Sequence, residues 1–148
     1  MKATYRLATP ADVARLFEVR QRSILALAPG EMSRPEAETW AATLNVAGME
    51  RKLRELEIWV AEVDGAVAGW GAIHGNRLEG LYTDPQFARQ GVGTGLLGLL
   101  EVLMRQRGIS SVSAEASANA EGFYARRGYQ LIGLRTMEYG QPISKRLR

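Results

Sequence analysis

The chain has 148 residues, 46% of them hydrophobic, which is enough to form the core of one domain. It has no cysteine and one histidine, so disulfides, thiolate metal sites, a cysteine nucleophile and a histidine-rich metal cage are excluded. The formal net charge of +3 is small and most basic residues are spread along the chain, which argues against nucleic-acid binding and favours a modest anionic ligand.

The distribution of apolar residues indicates a protein that does not enter a membrane. No stretch approaches the roughly 18 consecutive apolar residues of a membrane span, and the first residues, MKATYRLATPADV, lack the apolar block of a secretory signal. We therefore expect a cytoplasmic protein. No repeat, linker or low-complexity tract interrupts the chain, which predicts a single domain over residues 1–148.

The first half of the chain predicts a strand, three helices and a hairpin. Alternating polar and apolar residues indicate a strand over residues 4–8, and Thr9 is placed to cap the helix that follows. Two further helices are predicted over residues 35–44 and 49–56. The pair Asp64-Gly65 is typical of a tight turn between antiparallel strands.

The second half alternates strands and helices. Residues 78–83 predict a strand that ends at Asp84-Pro85, because proline cannot donate to a strand ladder. A leucine-rich helix then begins in the glycine-rich stretch 91–98 and ends at Gly108. The remaining residues predict a strand, a short helix and a final hairpin, over residues 110–115, 120–127 and 129–148.

The glycine-rich stretch has several interpretations. Residues 93–98 match the G-x-G-x-x-G pattern of dinucleotide-binding proteins, with Glu115 as the candidate acidic partner. In those proteins the strand leads almost directly into the glycines, whereas here residues 84–90 intervene, which makes this reading weak. A Walker loop is excluded because no Lys-Ser or Lys-Thr pair follows the glycines.

A third interpretation is a helix whose first turn binds an anion. The first backbone N–H groups of a helix have no partner within it, so those of residues 91–94 would point toward a phosphate, and Arg89 would add positive charge. The purely structural alternative is that Gly91, Gly95 and Gly98 form a stripe that lets the helix approach a sheet closely.

Two motifs carry a family resemblance. The segments LYTDPQFARQGVGTGLL and ASANAEGFYARRGYQ, in this order and about thirty residues apart, resemble the GNAT superfamily of acyl-CoA-dependent N-acetyltransferases. The likeness covers most of the chain. It implies an α/β fold with a mixed, mostly antiparallel central sheet of about six to seven strands, flanked by helices and splayed at the central strand. One departure is Ala88, which stands where the family commonly has glutamine or arginine at the start of its pyrophosphate loop.

The resemblance implies acetyl-CoA as co-substrate and a set of residues that bind it. The backbone of the central strand would hold the pantetheine arm, the loop would bind the pyrophosphate, and Asn119 would contact the pantetheine side, although a helix cap is its ordinary reading. These residues are Leu81, Tyr82, Thr83, Arg89, Gln90, Gly91, Val92, Gly93, Thr94 and Asn119.

Amide formation from a thioester requires a base for the amine and a proton donor for the departing thiolate. Tyr124 is the candidate acid, because its phenol is protonated at neutral pH and it lies on the helix that resembles the family's thiolate-facing helix. Glu79 on the central strand is the candidate base, acting through a water, and His74 is a rival. The structural alternatives are a core tyrosine and a solvent-facing glutamate.

The leading hypothesis is an enzyme that transfers acetyl from acetyl-CoA to a primary amine of a small molecule or peptide by direct attack in a ternary complex. The alternative is a non-catalytic acyl-CoA-binding regulatory module. Arg20, Arg22 and Arg34 are candidates for contact with a carboxylate or phosphate on the acceptor, and no strongly acidic cluster marks a polycationic one. The resemblance also implies a homodimer. Charge, hydropathy and the lack of cysteine and histidine clusters argue separately against nucleic acid, a membrane and a metal as partners.

Overall fold

The computed structural model describes residues 2–135 and 140–148. Among these, seven strands occur: β1 (Thr4–Leu7), β2 (Glu57–Val63), β3 (Ala66–His74), β4 (Arg77–Thr83), β5 (Ser111–Ala116), β6 (Gln130–Leu131) and β7 (Gln141–Arg146). The α-helices of the described residues are α1 (Val13–Leu25), α2 (Arg34–Ala41), α3 (Val46–Glu55), α4 (Val92–Gln106) and α5 (Glu121–Ala125). Short 3-10 turns occupy Pro10–Asp12, Pro85–Phe87 and Ala118–Ala120. No helix in the described ranges is long and apolar enough to cross a membrane.

The strands form one mixed sheet in the order β1-β2-β3-β4-β5-β7-β6. Every adjacent pair is antiparallel except β4 and β5, which run parallel. These two share a single register pair, Arg77 with Ser113, and no later pair of described residues joins them. The predicted α/β fold, with a mostly antiparallel sheet splayed at its central strand, is confirmed.

The element boundaries differ from the sequence predictions where local contacts decide them. Thr9 is the predicted N-cap residue, but it begins a 3-10 turn that precedes α1, and its side chain accepts no capping hydrogen bond. Its N–H donates to Asp12 Oδ2 at 2.7 Å. The predicted final hairpin is present as the antiparallel pair of β6 and β7, but β6 has only two residues. Residues 136–139 of that hairpin lie outside the described residues.

Helices cover both faces of the sheet. On one face, α1 and α3 pack on β2 and β3 around Trp70, whose indole Nε1 donates to the carbonyl of Leu16 at 2.9 Å. On the opposite face, α4 packs its apolar side against the sheet through Leu96, Leu97, Leu100 and Met104. Strand β4 contacts α1 from the first half of the chain and α4 from the second half.

Glycines on both elements allow α4 to approach the sheet: Gly69 and Gly71 on β3, and Gly95 on the helix, where an added Cβ would collide with the Tyr5 side chain of β1. A Cβ at Gly69 would lie 2.7 Å from the carbonyl oxygen of Tyr82 and 2.9 Å from a methyl of Val92. Within the helix, Gly98 is exposed, and a Cβ added there would meet no atom within 4 Å. The predicted packing stripe is confirmed for Gly95 and is wrong for Gly91 and Gly98, where an added Cβ would meet no atom within 4 Å.

Two alanine substitutions test this assignment. Gly98→Ala should stabilise the protein by up to about 1 kcal/mol, because alanine is the better helix former and its methyl meets open space. Gly69→Ala should destabilise it by about 1–3 kcal/mol, because its methyl collides with backbone. Urea unfolding measures the free energy of unfolding of both variants. Because both are glycine-to-alanine changes, each lowers the conformational entropy of the unfolded chain by a similar amount, and the difference between them reports on the folded state. Equal effects of the two substitutions would contradict the assignment.

Candidate active site

The gap between β4 and β5 leaves strand backbone without a partner among the described residues. The Ser113 N–H donates to the carbonyl of Asn76 at 2.9 Å, and β4 and β5 then part. On its other side β4 stays paired with β3, and the N–H of Asp84 donates to Ala68 at 2.8 Å. Because backbone groups alternate sides along a strand, the N–H groups of Leu81 and Thr83 face the gap.

A bulge in β4 directs Glu79 toward the face that carries α1 and α3. The register passes from Ile73 paired with Leu78 to Ala72 paired with Gly80, so Glu79 is the extra residue. Such a bulge re-aims a side chain, and the Glu79 carboxylate borders a cavity on this face.

Arg77 connects two carboxylates at the base of the gap. Its Nε lies 3.2 Å from Glu79 Oε1, and its Nη2 lies 3.2 Å from Glu115 Oε1 on β5. The Glu79 side chain is 32% exposed, so the ion pair leaves it accessible to a ligand. Glu115, the candidate acidic partner of a dinucleotide, thus pairs with an arginine of the gap.

The first turn of α4 presents free backbone N–H groups. The first amide bonded within the helix is that of Gly95, which donates to Gly91 at 2.9 Å. In the described part of the chain, the amides of residues 91–94 have no acceptor. The loop before them is held by two left-handed residues, Arg89 with a φ of 62° and Gly91 with a φ of 79°. The side chains of Arg89 and Gln90 are exposed.

Arg127 lies against this turn, and the sequence analysis missed it. Its Nη2 donates to Thr94 Oγ1, and its Nη1 donates to the carbonyl of Phe123 at 2.7 Å. The guanidinium lies 3.7 Å from the centre of the Phe123 ring, and its buried Nε has no acceptor among the described residues. The second arginine of FYARRGY was the available signal, but only the tertiary structure brings it to the N-terminus of α4.

Strand β4 and helix α5 both adjoin that turn. A Cβ at Gly93 would lie 3.5 Å from Thr83 Oγ1 and 3.6 Å from Phe123. The end of the central strand, the free amides and α5 therefore meet at one place.

Tyr124 is buried on α5, with 8% of its surface exposed. Its ring packs edge-on against Phe123 and Tyr129, and no described residue hydrogen-bonds to its hydroxyl. Burial raises the pKa of the Tyr124 phenol, and the neighbouring Tyr82 raises it further. Tyr124 therefore remains protonated well above neutral pH, as a proton donor must.

Two other predicted residues lie at the periphery. Asn119 is exposed in the turn Ala118–Ala120, where its Oδ1 accepts a hydrogen bond from Ser117 Oγ at 2.7 Å, so it does not cap α5. His74 is exposed at the end of β3 and does not border the cavity beside Glu79.

That cavity has a volume of about 130 Å³ and lies between α1, α3 and β4. Its lining residues are Arg20, Thr43, Leu44, Lys52, Leu56, Trp70, Glu79 and Tyr82. Of the three arginines proposed to meet the acceptor, only Arg20 lines it. Arg22 lies 3.3 Å from the buried Asp84, and Arg34 pairs with Glu38 on the surface of α2 at 3.0 Å.

A splayed central strand beside a helix with free N-terminal amides is the architecture implied by the family resemblance. A family model described as an acetyltransferase (GNAT) domain matches residues 29–144. The chain belongs to the GNAT acetyltransferase family.

Solved structures and a curated relative agree with the membership. The chain is similar to a GCN5-related N-acetyltransferase from Rhodopseudomonas palustris, with 26% identity, a TM-score of 0.93, and 99% of this chain and 97% of that chain covered. It has the fold of PaiA N-acetyltransferase from Thermoplasma acidophilum, with 20% identity, a TM-score of 0.81 and 99% of both chains covered. It is also 25% identical over 129 residues to the uncharacterized N-acetyltransferase YafP of Escherichia coli, across 87% of this chain and 82% of that protein.

Inorganic diphosphate tests whether this GNAT acetyltransferase binds anions at the first turn of α4. Arg127→Gln should weaken its binding about tenfold, because a charged hydrogen-bond donor beside the free amides is lost. Calorimetry measures the dissociation constant. Arg126→Gln is the matched control, since Arg126 is exposed and forms no ion pair in the described part of the chain. If both variants lose the same affinity for diphosphate, the effect comes from long-range charge and not from a contact made by Arg127.

Proposed function

We propose that the chain transfers an acetyl group from acetyl-CoA to a primary amine of a small molecule or peptide, by direct attack in a ternary complex. The observation that carries the proposal is the gap between β4 and β5. The amides at the start of α4, unbonded in the described structure, lie beside the end of β4. Glu79 belongs to β4 on one side of the gap, and Tyr124 belongs to α5, which follows β5 in the chain. Two structural neighbours support it: PaiA was solved with coenzyme A, and YncA from Salmonella typhimurium with acetyl-CoA.

The residues of the gap suit a pantetheine diphosphate. The amides of residues 91–94, with Arg127 beside them, would bind the diphosphate at the N-terminus of α4. The N–H groups of Leu81 and Thr83 would bind the pantetheine arm as a strand edge binds an extended peptide. Acetyl-CoA, when bound, supplies the activated acetyl thioester. Ala88 offers no polar side chain to the diphosphate, so these donors would carry its recognition.

Glu79 would receive the proton that the acceptor amine loses. Glu79 lies at the bulge and lines the cavity, and its carboxylate forms an ion pair with Arg77 of the same strand. An amine is mostly ammonium at neutral pH, so a carboxylate at this position, acting through a water, would help to generate the free amine.

Tyr124 would protonate the departing thiolate. Its hydroxyl is not engaged by any described residue, and its raised pKa keeps the proton in place until a strong base develops nearby. No covalent acyl-enzyme is required, which agrees with the absence of cysteine from the chain.

Tyr124→Phe tests the acid. The substitution should lower kcat about 10²–10⁴-fold and leave the affinity for coenzyme A nearly unchanged, because the ring is retained and only the donor is removed. Thiol release from acetyl-CoA with a panel of amines measures turnover.

The matched control is Tyr129→Phe. Tyr129 packs on Tyr124, but its hydroxyl donates to the buried Glu101 at 2.9 Å. This variant should lower stability by about 1–3 kcal/mol without lowering kcat. Binding of acetyl-CoA without turnover of any amine by the wild-type protein would favour a regulatory module instead.

Glu79→Gln tests the base. Turnover should fall about 10²–10⁴-fold near neutral pH. The deficit should shrink as the pH approaches the pKa of the acceptor amine, because more of the amine is then already deprotonated. Glu115→Gln is the control, since Glu115 is bound to the same Arg77 from β5. If the two variants show the same pH profile, the effect belongs to Arg77 and not to a base.

A further inference from the structure

The cavity beside Glu79 contains more positive than negative charge. Its lining includes two cations, Arg20 from α1 and Lys52 from α3, and one carboxylate, Glu79. The carboxylate is itself paired with Arg77. The charges of Arg20 and Lys52 are therefore not neutralised by the groups that surround the cavity.

Arg20 is a buried cation that lacks a carboxylate partner among the described residues. The residue is 4% exposed. Its hydrogen bonds go to neutral oxygens: Gln21 Oε1 at 2.7 Å, Thr43 Oγ1 at 3.0 Å and the carbonyls of Ala41 and Trp40 at 3.2 and 3.4 Å. Its guanidinium carbon lies 6.0 Å from the centre of the Tyr82 ring, which also lines the cavity. A buried charge without a counter-ion is expensive unless a ligand or partner supplies one.

Lys52 adds a second cation from the last turn of α3. In residues 2–135 and 140–148 no carboxylate lies within ion-pair distance of its ammonium group. Arg20 and Lys52 approach the cavity from two helices, while Glu79 approaches from the strand. An anion between the helices and an ammonium near the strand would complement this arrangement.

We propose that the acceptor is a small primary amine that also carries an acid group, either carboxylate or phosphate. The acid group binds Arg20 and Lys52, and the amine lies at Glu79. This inference rests on the proposed acetyl transfer and names its substrate class. The cavity volume of about 130 Å³ is roughly ten times the ~10–15 Å³ that one water needs by the same measure, so a small acid fits within it.

The same charges disfavour polyamines. A second ammonium group would enter the cavity toward Arg20 and Lys52, and like charges in a partly desolvated site repel strongly. Selectivity should therefore follow the charge of the group carried by the amine.

Matched acceptors test the inference. A series of α- and ω-amino acids is compared with the corresponding carboxamides, diamines and aminophosphonates, and kcat/KM is measured by thiol release from acetyl-CoA. The acid should exceed its carboxamide at least tenfold, and the diamine should be the poorest acceptor. The carboxylate and phosphonate arms identify which acid group is preferred.

Lys52 is the residue to change, because an Arg20 variant would also lose the bonds that hold the end of α2. Lys52→Gln should reduce the ratio of kcat/KM for acid over carboxamide about tenfold, and Lys52→Glu should invert the preference toward the diamine. Arg51→Gln, on the exposed side of the same helix, should leave the ratio unchanged.

The outcomes separate this inference from the proposed function. Equal turnover of acid and carboxamide, or preference for the diamine, overturns the inference while acetyl transfer to amines stands. Acid preference that survives in Lys52→Glu also overturns it, because the acid group then binds elsewhere. A protein that binds acetyl-CoA but acetylates no amine of the panel overturns the proposed function, and the inference with it.

Discussion

The separation of β4 from β5 after one residue pair is the constraint on which the site depends. A strand inside a sheet normally has partners on both sides, and unpaired backbone groups are costly when they are buried. Here β4 keeps its bonds to β3 and gives up those to β5 beyond Arg77 and Ser113. The N–H groups of Leu81 and Thr83 are thereby available to an extended ligand, at a position that rigid strands define.

The helices bring hydrogen-bond donors to this gap. Helix α4 begins beside the end of β4, with its first amides unbonded in the described structure, and Arg127 reaches that turn from α5. The approach of α4 to the sheet depends on Gly69 of the neighbouring strand. At the same end of β4, the buried Asp84 lies 3.0 Å from Arg15 and accepts the N–H of Gln86, which joins α1 to the loop before α4.

Charge divides the two sides of the site. On the side of α4 and α5, the donors are backbone amides and one arginine, which suit a diphosphate. On the side of α1 and α3, Arg20, Lys52 and Glu79 line a small cavity, which suits a zwitterion. Tyr82 lines this cavity and also raises the pKa of Tyr124.

The sequence by itself determined the family, the order of the elements and the free amides of residues 91–94, because turn residues, helix starts and the spacing of two motifs are local signals. It did not place the contacts that join distant segments. Gly98 looked like a packing glycine but faces solvent, while Gly69 of β3 makes a close approach. Arg20, Arg22 and Arg34 looked equivalent, but of these three only Arg20 lines the cavity. Only the tertiary structure decided these, because the side of a helix or strand that becomes buried depends on what packs against it.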